Sequence, residues 1–278
     1  MRLNKGLMFL FGFAFLSISV LGYFFNDYLN YKQESIVQKH LDMQLKELLE
    51  KLKERQSLVS TAAMLLANNQ EVKECLKSND KAKCEEYLKQ IQDKFDTISF
   101  SQNIKIHIHT KDFRSFFRVW DLDHSKNDSL VSFRESLQKV KQEKKPIWGV
   151  EVGRYSLLIR GIAPIFEADE YLGSIEVISD FESMTEYFKQ KDIDFFVLMD
   201  KKYEKIASMV EYPTRKRFNH FVIVNSVNSG LDSLRSLELQ ETSFVQTNGF
   251  YLVYTPIYDL SNNKVGFYLL KIPVSKLF

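Results

Sequence analysis

Residues 7–25 carry no charged side chain, and no other feature of the sequence restricts the fold as strongly. A helix of that length reaches across a hydrocarbon core of about 30 Å. Arg2 and Lys5 precede the run and Asp27 is the first charge after it. The positive-inside rule therefore predicts a cytoplasmic N-terminus at residues 1–6, a transmembrane anchor at 7–25, and export of everything from about Asn26 onward. A cleaved signal peptide is the rival reading. The run is long for one, and Ser19-Val20-Leu21-Gly22-Tyr23 makes a poor cleavage site, which favours a single-pass anchor in the inner (cytoplasmic) membrane with a periplasmic or extracytoplasmic remainder. No second apolar run of that length occurs, and no kinase, cyclase or chemotaxis output module is legible before Phe278, so the expected output lies in a separate protein or is missing.

Charge and glycine usage then exclude whole function classes. The 38 basic and 36 acidic residues nearly balance, whereas nucleic-acid binders concentrate a basic excess on one face. With 10 glycines there is no G-x-G-x-x-G or Walker-type loop. No activated nucleophile, carboxylate pair or metal set can be assembled, so an enzyme is not expected. The 23 Phe and 13 Tyr suit either an aromatic-lined pocket or an ordinary β-rich core.

Cys75 and Cys84 are the only cysteines. Export would place them in an oxidising compartment, on either side of the turn signal Ser78-Asn79-Asp80 between two helical patterns. They are either a disulfide across a helical hairpin or two separate thiols.

Past the anchor, Leu41, Leu45, Leu48, Leu52, Val59, Ala62 and Leu66 recur at steps of three and four, with Arg55 as a polar break. This heptad-like seam predicts a long stalk helix that pairs with a second subunit, giving a homodimer, or packs on the chain's own sheet. A shorter helix is expected over 81–97. From Asn103, Ile104, Ile106 and Ile108 alternate with polar residues, the period of a half-buried strand. Strands are then expected at 113–121, 146–152, 155–166 and 171–179, with a helix at 130–142 and a helical connector at 181–189. A second cycle follows, with strands at 193–199, 202–208, 242–247, 250–258 and 265–272 and a helical region near 227–239. The order strand–strand–helix–strand–strand–strand thus appears twice, which predicts an α+β architecture of two tandem antiparallel sheets with helices packed on them.

Within this pattern, His107-Ile-His109-Thr-Lys-Asp-Phe-Arg-Ser-Phe-Phe-Arg118-Val-Trp120-Asp121 is followed by Phe133-Arg134, read as helical. Then come Trp148-Gly149-Val-Glu151-Val-Gly153-Arg154, Ile159-Arg160-Gly161-Ile-Ala-Pro164-Ile165 and Tyr171-Leu-Gly173-Ser174-Ile-Glu176. This ordered set resembles the double Cache sensory domain, the extracytoplasmic input of bacterial chemoreceptors, sensor histidine kinases and diguanylate cyclases. The motifs cover about 104–180; the later part of the chain matches by pattern alone. The resemblance implies two PAS-like modules, a membrane-distal ligand-binding one at 101–182 and a membrane-proximal one at 183–278, above a helical stalk and hairpin at 26–100. Two departures stand out. Lys126-Asn127-Asp128-Ser129-Leu130 replaces a Gly-Asp-Asp-Leu type turn, and Tyr155-Ser156 stands where a glycine is usual after Gly-Arg.

Strand alternation by itself points to a pocket. Phe116, Arg118 and Trp120 share a face of one strand, Leu158, Arg160 and Ile162 of another, and Ser174, Glu176, Ile178 and Asp180 of a third. Charges on apolar sheet faces are costly unless paired or used. Arg118 and Arg160 are candidates for fork-like contacts to a carboxylate, and Trp120 and Trp148 for enclosing an apolar or cationic part. Glu176 and Asp180 either hold an amine or pair with the arginines, in which case no ligand is needed. Glu151 and Arg154 read as turn and scaffold contacts. His107 and His109 have H-x-H spacing, but no third ligand is evident, so no metal and no cofactor is assigned. The expected function is a sensor for a small organic acid or amino-acid-like solute, relaying a conformational signal through its stalk, as in chemotaxis or two-component signalling. The alternative is a membrane-tethered solute-binding or scaffold protein without output.

Overall fold

The computed structural model describes residues 5–98, 103–121, 127–210, 217–227, 231, 238–247 and 249–276, with side chains from Phe13 onward. Helix α1 runs unbroken over Lys5–Ala67. Val37, Leu41, Leu48, Leu52, Val59, Ala63 and Leu66 are all buried on one side of it and belong to one continuous core with the sheets. The seam therefore packs on the chain's own sheets. Arg55 is buried too, and its Nε donates to the Ser179 hydroxyl at 2.7 Å.

Helices α2 (Gln70–Ser78) and α3 (Lys81–Asp96) form the hairpin. Asn79 takes the left-handed conformation that ends α2, and the Asp80 carboxylate accepts the Ala82 and Lys83 N–H groups at the start of α3. A disulfide joins Cys75 to Cys84 across this turn, with Cα atoms 5.5 Å apart.

The first sheet comprises β1 (Lys105–Thr110), β2 (Ser115–Arg118), β3 (Ile147–Gly153), β4 (Ser156–Glu167) and β5 (Glu170–Ser179), in the order β2-β1-β5-β4-β3 with every pairing antiparallel. Helix α4 (Glu135–Glu143) covers one face and α1 the other. At Gly161 on β4 an added Cβ would lie 2.5 Å from the Val59 carbonyl, so this glycine lets α1 sit directly on the sheet. Helix α5 (Glu182–Lys189) leads into the second sheet, built from β6 (Asp194–Asp200), β7 (Arg217–Phe218), β8 (Phe221–Ile223), β9 (Ser243–Thr247), β10 (Phe250–Tyr258) and β11 (Lys264–Pro273). Its order is β7-β8-β6-β11-β10-β9. The architecture is α+β, with two antiparallel sheets strung along one long N-terminal helix.

Several elements differ from the sequence expectation. Strand β2 is shorter than 113–121 because Phe113 has φ 57°, a left-handed turn residue. Helix α4 begins at Glu135, not near Leu130. Ser129 bridges to Arg114 and the Leu130 N–H donates to the Phe113 carbonyl, which holds that stretch extended. Where a strand was expected at 202–208, Lys201–Lys205 is a 3-10 turn whose Lys202 N–H is accepted by the Asp200 carboxylate at 2.9 Å. The short strands β7 and β8 were not anticipated. The helical region expected near 227–239 lies mostly outside the described residues.

The apolar run at 7–25 lies in α1, but only its side chains from Phe13 are described. No helix among the described residues is long and apolar enough to cross a membrane. From Phe13 to Phe25 the large apolar side chains stand exposed on every side of the helix.

Candidate functional site

The face of the first sheet beneath α4 carries a row of side chains that the strand registers bring into line. Arg118 on β2 pairs with His107 on β1, His107 with Glu176 on β5, and Glu176 with Ile162 on β4, next to Arg160. Residues opposite one another across antiparallel strands project from the same face. Arg118, His107, Arg160 and Glu176 are all buried, and Glu176 has no exposed surface.

Glu176 is the hub. Its Oε1 accepts from Arg160 Nη1 at 2.9 Å and from Arg134, while Oε2 faces His107 Nδ1 at 3.4 Å and His109 Nε2 at 3.6 Å. Arg134, just before α4, also reaches Glu151 on β3, its Nε lying 2.7 Å from the carboxylate. The Ser136 hydroxyl donates to the same Glu151 group at 2.8 Å. Burial by itself would raise the Glu176 carboxyl, but Arg134, Arg160 and the two imidazoles outweigh it and hold it well below the ordinary carboxylate range. Burial pushes both histidines below their ordinary value, His107 the further of the two. For Arg134, Glu151 and Glu176 overcome the cost of burial and raise its pKa, whereas burial prevails at Arg160 and lowers it.

A second cluster lies beside this one. Arg118 donates to both oxygens of Asp128 at 3.0 and 3.2 Å, and Arg154 Nε lies 3.1 Å from the same carboxylate. Tyr155 donates to Asp121, and burial together with that bond pushes its phenol up to about 12. The Trp120 ring packs edge-on against both Tyr155 and His107. The indole N–H is buried and finds no acceptor among the described residues. Arg118, Arg154, Tyr155, Trp120 and His107 border a cavity of about 20 Å³ that is also lined by Lys105, Phe133, Arg134 and Arg160. That is room for about one water molecule. A larger groove of about 670 Å³ between α1 and α5 is open and holds none of the six candidate ligand contacts.

Of those six, the structure gathers Arg118, Trp120 and Arg160 around the cavity and sets Glu176 beneath it as the partner of two arginines. Trp148 does not join them. It stands 53% exposed on β3, at the opposite edge of the sheet from β2, four strand spacings or roughly 19 Å away. Asp180 also turns elsewhere. The strand ends at Ser179, and the Asp180 carboxylate accepts the Glu182 N–H at 3.1 Å at the start of α5. Glu151 and Arg154, read as scaffold contacts, are buried or half-buried ion-pair members of the site.

Sequence reading missed Arg134, Asp128 and Tyr155, and left His107 and His109 without a third companion. Arg134 had a signal, since it stands three residues before the buried Leu137 and so on the apolar side of that segment. Asp128 had none, because its partners Arg118 and Arg154 arrive from other strands and turns.

A model of the family described as the double sensory domain of two-component sensor kinases, dCache_3, matches residues 34–278. Solved structures of similar fold include the sensor domain of the V. cholerae histidine kinase DctB, with TM-score 0.53 and 11% identity over 87% of this chain and 98% of that one. Another is the domain of a sensory box/GGDEF family protein from Vibrio parahaemolyticus, with TM-score 0.52 and 14% identity over 88% and 98% of the two chains. No curated protein matches the sequence.

Proposed function

The chain belongs to the dCache_3 family of double sensory domains, and from that premise we propose that it is a membrane-anchored extracytoplasmic sensor for a small solute bearing a carboxylate. The observation that carries the reading is the cavity beside residues 130–134, lined by Arg118 and by Trp120, whose buried N–H finds no acceptor among the described residues. Two donors of different geometry lining one space, with other arginines and the apolar Leu130, Phe133 and Leu158 around it, suit the carboxylate and a second polar atom of an organic acid or amino acid. Asp128 supplies a carboxylate to Arg118 from within the chain. A solute that replaces it must open the cavity and free the 127–130 turn. Opening is what makes the site a switch, because a ligand shifts a conformational equilibrium only by binding one state better than the other.

The relay runs through β5 to α1. Glu176 and Ser179 lie on the same strand, and Ser179 is held by Arg55 of α1. Movement of β5 is thereby passed to the helix that descends to residues 7–25. The all-round exposure of apolar side chains from Phe13 to Phe25 suits a lipid surrounding, which supports the anchor. The seam is consumed by the chain's own core, so a homodimer would pair through another line of α1. Leu29, Ile36 and Met43, exposed and seven residues apart, supply one. The signalling partner would be a separate protein that reads the position of α1.

The test is a thermal-shift screen of the full chain in detergent against organic acids, amino acids, amines and purines. Binding to the folded state raises the melting temperature by mass action. The expected result is a dose-dependent shift from one carboxylate-bearing class that disappears in Arg118→Ala. A shift of equal size in that variant would place the solute elsewhere, and no shift from any class would favour a scaffold role.

A further inference from the structure

The pairing of β1 with β5 supplies what the H-x-H spacing lacked. Three ligating atoms, His107 Nδ1, His109 Nε2 and Glu176 Oε2, form a triangle with edges of 3.0, 3.4 and 3.6 Å, and all three residues are buried. From this geometry we infer that His107, His109 and Glu176 form a binding site for a tetrahedral divalent cation of the Zn²⁺ class.

Protons alone serve this triangle poorly. One hydrogen between the two ring nitrogens joins them to each other and leaves neither with a hydrogen for Glu176 Oε2, whose remaining donor contact is Arg134 Nη1 at 3.4 Å. Hydrogens on both nitrogens would have to reach that oxygen across 3.4 and 3.6 Å, beyond the usual 2.7–3.2 Å or so of a formed bond. A cation satisfies all three acceptors together. A point equidistant from atoms with these separations lies about 1.9 Å from each. Raising it about 0.7 Å out of their plane gives ligand distances of about 2.05 Å, the value for Zn²⁺ with nitrogen and carboxylate oxygen. The edges average about 3.3 Å, as for a tetrahedron of that bond length. An octahedral facial set at a similar bond length would draw them in to about 3.0 Å.

The surroundings fix each ligand as a metal site requires. His107 Nε2 meets the Ser115 hydroxyl at 2.9 Å and His109 Nδ1 the Ser174 hydroxyl at 3.0 Å, so each ring is oriented through its remote nitrogen. The two arginines take Oε1 of Glu176 as their main contact, with Arg134 Nη1 3.4 Å from Oε2. That orients the carboxylate with Oε2 towards the imidazoles. Three protein ligands leave a fourth position for water or an anion. The inference does not depend on whether a solute enters the neighbouring cavity.

The experiment uses the full chain in detergent, stripped with a chelator and titrated separately with Zn²⁺ and Co²⁺. The expected result is saturation at one ion per chain, with the intense visible absorption of four-coordinate cobalt and its displacement by Zn²⁺. His107→Gln and His109→Gln should each weaken binding by about 100-fold or more, and Ser174→Ala by about 10-fold through loss of ring orientation. If the histidine variants fail to fold, zinc X-ray absorption of the wild-type chain decides, with two imidazoles and a carboxylate expected in the coordination shell. Absence of saturable binding would overturn the inference. So would a pale six-coordinate cobalt spectrum, a shell without imidazole, or an affinity unchanged in the folded variants.

Discussion

Arg134→Met tests whether the buried charge network holds the first sheet together. Arg134 is 2% exposed and serves two carboxylates, Glu151 at 2.7 Å and Glu176 more closely. At an effective dielectric constant of about 20, a pair at that distance attracts by about 6 kcal/mol. Methionine fills similar space and removes the cost of burying the guanidinium, which offsets part of that. It also leaves Glu151, 6% exposed, with the Ser136 hydroxyl as its remaining side-chain hydrogen bond among those described. Removing one partner of a buried pair costs about 3–5 kcal/mol. At about 2–4 °C per kcal/mol for chains near this length, the melting temperature should fall by about 6–20 °C. Circular dichroism melts of wild type, Arg134→Met and Arg134→Lys read the effect. Lysine keeps the charge but cannot fork between two carboxylates, so it should fall between the other two. A loss below about 1 kcal/mol for Arg134→Met would refute the reasoning, because it would mean the carboxylates find other partners or water at no cost.

Asp180 bears on pH dependence. Burial raises its carboxyl, against the pull of Arg55, so the folded chain holds its proton more tightly than the unfolded chain. Stability through this group therefore falls as pH rises from the unfolded value near 3.9 through the raised folded value. Asp180→Asn should raise the melting temperature at neutral pH, with the gain fading below about pH 4; a loss at neutral pH that fades below about pH 4 would show instead that the Glu182 N–H bond needs the charge. Gly161→Ala places a methyl group on the α1 backbone, which cannot swing aside, and should cost about 1–3 kcal/mol or more in urea unfolding. An unchanged midpoint would show that α1 lifts freely from the sheet. Reducing the Cys75–Cys84 bridge, which closes a loop with sequence separation 9, should lower stability by about 2.6 kcal/mol in the chain-entropy model. A thiol count before and after reductant, with the two melts, checks both the bond and its contribution.

How much of this was legible in the sequence varies with the range of the interaction. The apolar run at 7–25, the alternation of Ile104, Ile106 and Ile108, the helix break at Ser78-Asn79-Asp80 and the motifs of the first sheet are local patterns. Each is fixed by the period of its element or by turn chemistry. They were sufficient for an α+β chain of two tandem sheets and for the family. Local pattern also put Arg118, Trp120 and Arg160 on the faces that meet at the cavity. It failed where one residue overruled a run, as at Phe113 with its left-handed backbone, and at 202–208, where the Asp200 carboxylate turned the chain into a 3-10 turn.

Which face meets which partner belongs to the tertiary structure. A heptad-like seam is equally apolar whether a second helix or a sheet covers it, and only the packing of α1 showed Leu48 and Val59 buried on this chain's own strands. Trp120 and Trp148 look alike in sequence, yet the order β2-β1-β5-β4-β3 places them at opposite edges. Glu176 meets His107, His109, Arg134 and Arg160 because the registers of β1, β4 and β5 align them and α4 closes over the row. A sequence fixes each side chain's face along its own strand through a period of two. Strand order and register are set by the sum of contacts across the whole sheet, and no single segment carries that sum.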